Sequence, residues 1–217
     1  MMKRMSMMLL GATILLTSVT AWGGKPPVPV KLTRDGMELI AVEKGVTVYK
    51  NEKSDIIWVG AEGRIPAPPE QVQQALLAYE RQVGKIGRLS EVKVISRDES
   101  QMTVYQRLNL PIISDRDFVL KVRHGKQGLK RWISYWAISN AGPGPRDGIV
   151  RVSHHRGGWE LLPVAKGKET LLRLEVRIDL AGSVPKWMAK SSAGEELPDL
   201  YSSVCRLSVP KKEKSSC

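Results

Sequence analysis

The nine residues Leu172–Leu180, LRLEVRIDL, alternate without interruption. Leu172, Leu174, Val176, Ile178 and Leu180 fall on one side of an extended chain, and Arg173, Glu175, Arg177 and Asp179 on the other. Successive strand side chains point to opposite faces, so this segment predicts an antiparallel sheet with one dry face and one wet face. Immediately afterwards the period changes. Beyond the turn Ala181-Gly182-Ser183, Pro185 opens a segment rich in helix formers that runs, with a break at Gly194 and Pro198, to about Val209. Trp187, Met188, Leu197, Leu200, Tyr201, Val204 and Leu207 supply its apolar surface. A sheet with a dry face requires a cover, and this C-terminal segment is the only long element left to provide one.

The rest of the chain supplies more strands. Val46–Lys50 and Ile56–Arg64 read as strands around turn residues 51–55, and residues 31–44 as a short, weakly marked helix. Pro68 or Pro69 followed by Glu70 starts a helix whose apolar face is Val72, Ala75, Leu76 and Tyr79, ending before Gly84. Val92–Arg97 and Met102–Leu110 flank the turn 98–100, and Asp117–His124 and Trp132–Ser139 flank the turn 125–128. After a loop over 139–148, Ile149–His155 and Trp159–Val164 continue the sheet. The fold class expected from this order is α+β.

The chain of 217 residues fits one domain. Lys3 and Arg4, the short apolar run Met7–Val19 and the small residues Val19-Thr20-Ala21 form an export signal cleaved after Ala21, too short for a comfortable membrane span. Residues 22–30, WGGKPPVPV, read as a linker, 31–209 as the domain and 210–217 as a basic polar tail. The expected location is therefore periplasmic or secreted. The net charge of +12 loses Lys3 and Arg4, and no acid, with residues 1–21, leaving +10. The basic residues are scattered apart from Lys211, Lys212 and Lys214, which argues against nucleic acid, where a stripe is expected, and favours transient contact with an anionic membrane surface. Cys205 and Cys217 form an even count that permits a disulfide, but one lies in a helical pattern and the other ends a polar tail, so spacing leaves their pairing open.

No G-x-S-x-G, H-E-x-x-H, P-loop or dinucleotide fingerprint occurs, and GPGPRDG reads as a turn. His154 and His155 would face opposite ways in a strand and cannot share a metal from that element; His124 stands alone at a strand end. The three histidines read as surface or hydrogen-bonded residues. No catalytic residue, metal site or cofactor is expected, and a monomer is.

The run Leu110–Val122, LPIISDRDFVLKV, places Pro111 ahead of Ser114-Asp115-Arg116-Asp117-Phe118-Val119, with Val104-Tyr105 upstream. Together with Gly158-Trp159-Glu160-Leu161 and with Asp179-Leu-Ala-Gly-Ser-Val-Pro185-Lys-Trp187, it resembles the signatures of the START family, the steroidogenic-acute-regulatory-related lipid-transfer domains. The resemblance spans roughly residues 40 to 209. It implies a helix-grip fold (START/Bet v 1-like), in which a curved antiparallel sheet wraps around the long C-terminal helix and leaves a lipid-sized tunnel. It further implies binding of a single lipid or other hydrophobic molecule, carried between membranes or presented in the cell envelope. A ligand-sensing or partner-binding module without transfer, and a cyclase/aromatase-like enzyme, are the alternatives the same fold allows.

Trp132, Trp136, Leu172, Leu174, Val176 and Ile178 are expected to line the tunnel and Trp187, Met188 and Leu197 to close it; the competing reading is that they pack only against one another as core. Phe118 shares the face of Leu120 and Val122. Arg116 and Asp117 are expected to clamp the connection into this strand through ion pairs and backbone hydrogen bonds, with Arg116 reaching a lipid head group as the functional alternative. Gln106 or Arg107 could offer a polar contact, but parity alone does not say which turns inward. Sterol-binding relatives carry an acid and an arginine inside; here Val122 takes the inward position, and alternation turns Arg123 away.

Overall fold

The computed structural model describes residues 34–111, 113–182 and 193–217. The segments read as export signal and linker, and the positions of Trp187 and Met188, lie outside the described residues. Ten strands build one sheet: β1 (Glu38–Glu43), β2 (Val46–Lys50), β3 (Ile57–Ile65), β4 (Leu89–Arg97), β5 (Gln101–Leu108), β6 (Asp115–Gln127), β7 (Lys130–Ile138), β8 (Ile149–Arg151), β9 (His154–Val164) and β10 (Glu169–Asp179). Their spatial order is β1-β2-β3-β10-β9-β7-β6-β5-β4, antiparallel throughout, with the short β8 paired parallel to the start of β6. Among the described residues the two α-helices are α1 (Pro69–Leu77) and α2 (Ala193–Ser208).

Three local readings of the sequence are corrected. The segment taken as a short helix within 31–44 contains β1. Lys44 and Gly45 both take positive φ, 50° and 73°, the conformation a tight hairpin turn demands, and so fold β1 back on β2. The strand read over Ile149–His155 is two: β8 ends at Arg151, and a continuous β9 runs from His154 to Val164 through Gly157 and Gly158. Gly157 has a steric reason to be glycine: a Cβ there would lie 2.3 Å from the Glu175 carbonyl oxygen and 2.5 Å from Tyr135 Oη. Helix α2 passes through Gly194 and Pro198 without the expected break. Pro198 stands in its second turn, where one backbone donor is forfeited and the helix continues.

The sheet curves until its two ends meet the same stretch of α2. Lys44 Nζ, at the β1–β2 turn, lies 2.6 Å from Asp199 Oδ1. Arg88 Nε, immediately before β4 at the other end of the strand order, lies 3.4 Å from Glu196 Oε1. Between them Tyr201 is buried over Gly63, its hydroxyl 2.9 Å from the Ala61 carbonyl and 3.1 Å from that of Leu172. Helix α1 closes another side with Val72 and Leu76 buried, and Gln73 Nε2 donates to the carbonyls of Gly125 and Trp132 at 3.1 Å each.

The cysteines pair. Cys205 on α2 and Cys217 are bonded, with Cα atoms 5.6 Å apart, which folds the terminal 3₁₀ segment Lys211–Ser216 back on the helix. The expected result of reduction follows from the 12-residue separation. Loop-closure entropy predicts a loss of about 3 kcal/mol, a fall in Tm of roughly 6–12 °C, measurable by thermal unfolding with and without reductant.

Candidate functional site

Register assigns each side chain to a face. One continuous set runs across the sheet: Val59, Val176, Gly157, Tyr135, Val122 and Met102 are cross-strand neighbours in turn. This is the face covered by α2, since Ala61 and Leu174 occupy the parallel row that ends under Tyr201 and Trp159. Leu174 and Phe118 are buried on it, and Val176 is partly buried. Gln106 pairs with Phe118 and therefore faces inward. Its side chain makes no hydrogen bond to a described residue. Arg107 faces out and bonds Asp115, Nε to Oδ2 2.8 Å. Val122 is inward and fully buried, and Arg123 is outward with its guanidinium 5.3 Å from the Trp136 ring.

Trp132 and Trp136 do not line the covered face. Trp132 pairs with Gly125 and Glu160, and Trp136 with Lys121 and Arg156, all on the outer side with Arg173 and Arg177. Ile133, Tyr135 and Ala137 take the inward positions of β7 instead. Strand β7, KRWISYWAI, carries apolar residues on both parities, and a one-residue change of register exchanges its faces. Pairing with β6 and β9 decides the matter. Trp132 is nonetheless buried, lying across Gly125, where a Cβ would come within 2.7 Å of the indole.

Arg116 is 2% exposed and holds the end of β10. Its Nε donates to Leu180 O at 3.2 Å, Nη2 to Ala181 O at 3.1 Å, and Nη1 to Ser114 O. Asp117, 1% exposed, receives a two-pronged pair from Arg151, 2.6 and 3.0 Å, and Arg151 Nη2 also donates to Pro143 O at 2.9 Å. Adjacent residues of one strand thus tie β6 to β10 on one face and to β8 and the 139–148 loop on the other.

Part of the inward face stays accessible. Ile57, Val92, Val94, Leu108, Ala137, Trp159, Val176 and Leu180, from six of the strands and the end of β10, pack against the core yet stay only partly buried. At the end marked by Arg116, a cavity of about 400 Å³ opens between the β2–β3 loop and the last residues of β10, with Ile57, Ile178 and Leu180 on its apolar side and Lys50 and Glu52 on its polar side.

His155 belongs to this inner face, a position that spacing did not single out. It pairs with Ile178, and its ring stands edge-on to Phe118 at 4.7 Å and to Tyr135 at 5.3 Å. Contrary to the surface or hydrogen-bonded role expected of it, its Nδ1 is buried with no partner among the described residues. His154, turned the other way, is exposed beside Ser153 Oγ at 3.0 Å. Burial lowers the His155 pKa to about 4 and pushes the Tyr135 and Tyr79 hydroxyls well above their ordinary range. Above pH 6.5 the imidazole is neutral in both folded and unfolded chains. Between pH 6.5 and about 4 only the unfolded chain takes the proton, so stability falls with falling pH by no more than about 1.4 kcal/mol per pH unit. His155→Phe is expected to flatten that part of the profile, read by denaturant unfolding across the window; an unchanged slope would place the dependence elsewhere.

The START domain family model matches residues 38–206. Among solved structures, the STAR-related lipid transfer protein from Xanthomonas axonopodis is similar over 78% of this chain and 99% of its own, at 24% identity and a TM-score of 0.70. Human STARD10 matches over 84% and 78%, at 18% identity and 0.71. The Zhui aromatase/cyclase from a Streptomyces species matches over 70% and 93%, at 14% and 0.50. These identities speak for the fold alone. No curated protein sequence is similar enough to match.

Proposed function

Because the chain belongs to the START domain family, we propose that it binds a single lipid or other hydrophobic molecule between the sheet and α2 and carries it between membranes or presents it in the cell envelope. One observation carries this reading: the row of inward apolar side chains that the fold gathers but leaves partly uncovered. Burying roughly 500 Å² of acyl chain against such a surface contributes on the order of 12 kcal/mol. The freedom lost on association offsets much of it, and the remainder holds a lipid out of water. Gln106, inward and free of protein partners among the described residues, is the polar group that would meet the cargo. Phe118, Leu174 and Val176 supply its apolar walls. Arg116 orders the rim, its donors directed at three backbone carbonyls.

The reading assigns binding and no catalysis. An exported, periplasmic or secreted location is supported by the N-terminal pattern Lys3–Ala21 and by the Cys205–Cys217 bond, which persists in oxidising compartments. The experiment is native mass spectrometry of the purified protein for a co-purified lipid, followed by exchange of a labelled lipid between vesicles. A bound lipid that exchanges supports a carrier. A bound lipid that never leaves would indicate sensing, and a protein that holds none under any lipid loading would overturn the proposal.

A further inference from the structure

Away from the lipid-facing hollow, a second cavity of about 410 Å³ lies where α2 ends, with Arg81, Lys85, Arg206, Lys211 and Lys214 around it and Leu207 and Val209 as its apolar floor. Three separated parts of the chain contribute: the 3₁₀ turn after α1, the last turns of α2, and the terminal segment. All five cations are exposed, and none is paired with a carboxylate among the described residues. The nearby acids are engaged elsewhere, Glu80 with Arg97 at 3.2 Å and Glu213 with Lys212 at 4.0 Å. Like charges repel, and a free tail carrying Lys211 and Lys214 would swing away from Arg81, Lys85 and Arg206. The Cys205–Cys217 bond prevents it, because it anchors the tail to the helix that bears Arg206. A covalent link that gathers five cations, none paired with a carboxylate among the described residues, over an apolar floor makes sense when an anion completes the arrangement.

We propose that this basic hollow is a membrane-docking site for the phosphate headgroups of an anionic bilayer, and that the disulfide sets its strength by holding the tail in place. The cations attract the surface, and the partly exposed Leu207 meets the interface beneath the headgroups, with the buried Val209 behind it. The inference deepens the carrier reading by naming where the protein meets its membrane. Its test is separate, since docking is measured whether or not lipid is held inside.

The test is co-sedimentation of the purified oxidised protein with phosphatidylcholine vesicles with and without phosphatidylglycerol. Binding is expected only with the anionic lipid. Each charge removed should weaken it roughly fivefold, so Arg81→Gln with Lys85→Gln, and separately Lys211→Gln with Lys214→Gln, should each lose about twenty-fivefold. Cys217→Ser retains all five cations and is expected to lose at least about fivefold, a result that net charge alone does not produce. Lys121→Gln with Lys126→Gln on β6 removes equal charge elsewhere and should change binding by less than about twofold. Equal losses in the β6 control, or wild-type binding by both hollow variants, would overturn the assignment. Displacement by inorganic phosphate beyond that by chloride at matched ionic strength would overturn it too, by assigning the hollow to free phosphate.

Discussion

Arg151→Met is expected to lower stability by about 3 kcal/mol and Tm by roughly 6–12 °C. The Asp117 carboxylate has a side chain only 2% exposed, and Arg151 is the partner that meets both of its oxygens, 2.6 and 3.0 Å away. Removing one member of a buried pair leaves the other charge without compensation, which costs about 3–5 kcal/mol when both are fully enclosed. The Arg151 side chain keeps 24% of its surface, so the lower end applies. The same substitution frees Pro143 O and loosens β8 from β6. Asp117→Leu combined with Arg151→Met should recover most of the loss, because an apolar pair of similar volume leaves no charge to satisfy. Chemical denaturation of the single and the double variant checks this; a single variant within about 0.5 kcal/mol of wild type would show that the pair does not hold the strand entry.

Ala137→Trp is expected to eliminate co-purified lipid while leaving the fold intact. Ala137 lies inward on β7 opposite Leu120 and is only partly buried. A side chain added to a filled core forces neighbours off their rotamers at about 1–3 kcal/mol. A side chain added to a hollow occupies space that a ligand would otherwise fill and adds apolar contact. The two situations therefore separate in one pair of measurements. Loss of lipid in the mass spectrum with Tm near wild type supports the hollow. Destabilisation with lipid content unchanged would mean that this part of the inner face is packed and the cargo sits elsewhere. Val176→Trp, from β10, tests the same space from the neighbouring side.

Much of the architecture was legible because its elements announce themselves by period. Leu172–Leu180 alternates, and β10 lies inside the sheet between β3 and β9 with Leu172 and Leu174 inward and Arg173 outward. Pro68, Pro69 and Glu70 marked the start of α1. Arg116 and Asp117, singled out by their place after Pro111, do tie the strand entry to its surroundings through carbonyls and an ion pair. Where both faces of a strand are apolar, as in β7, the sequence carries no such mark. The same holds for β1, whose hairpin depends on Lys44 and Gly45 both adopting positive φ.

Alternation and the change of period after Leu180 were thus sufficient by themselves to require a one-sided sheet and a helix to cover it, because each is a local consequence of where side chains point along an extended or coiled backbone. Three things were left to the tertiary structure: the outward turn of Trp132 and Trp136, the inward seat of His155, and the union of Cys205 with Cys217. Each depends on which strand or segment arrives alongside and in what register, and cross-chain neighbours of that kind exist only once the chain has closed on itself.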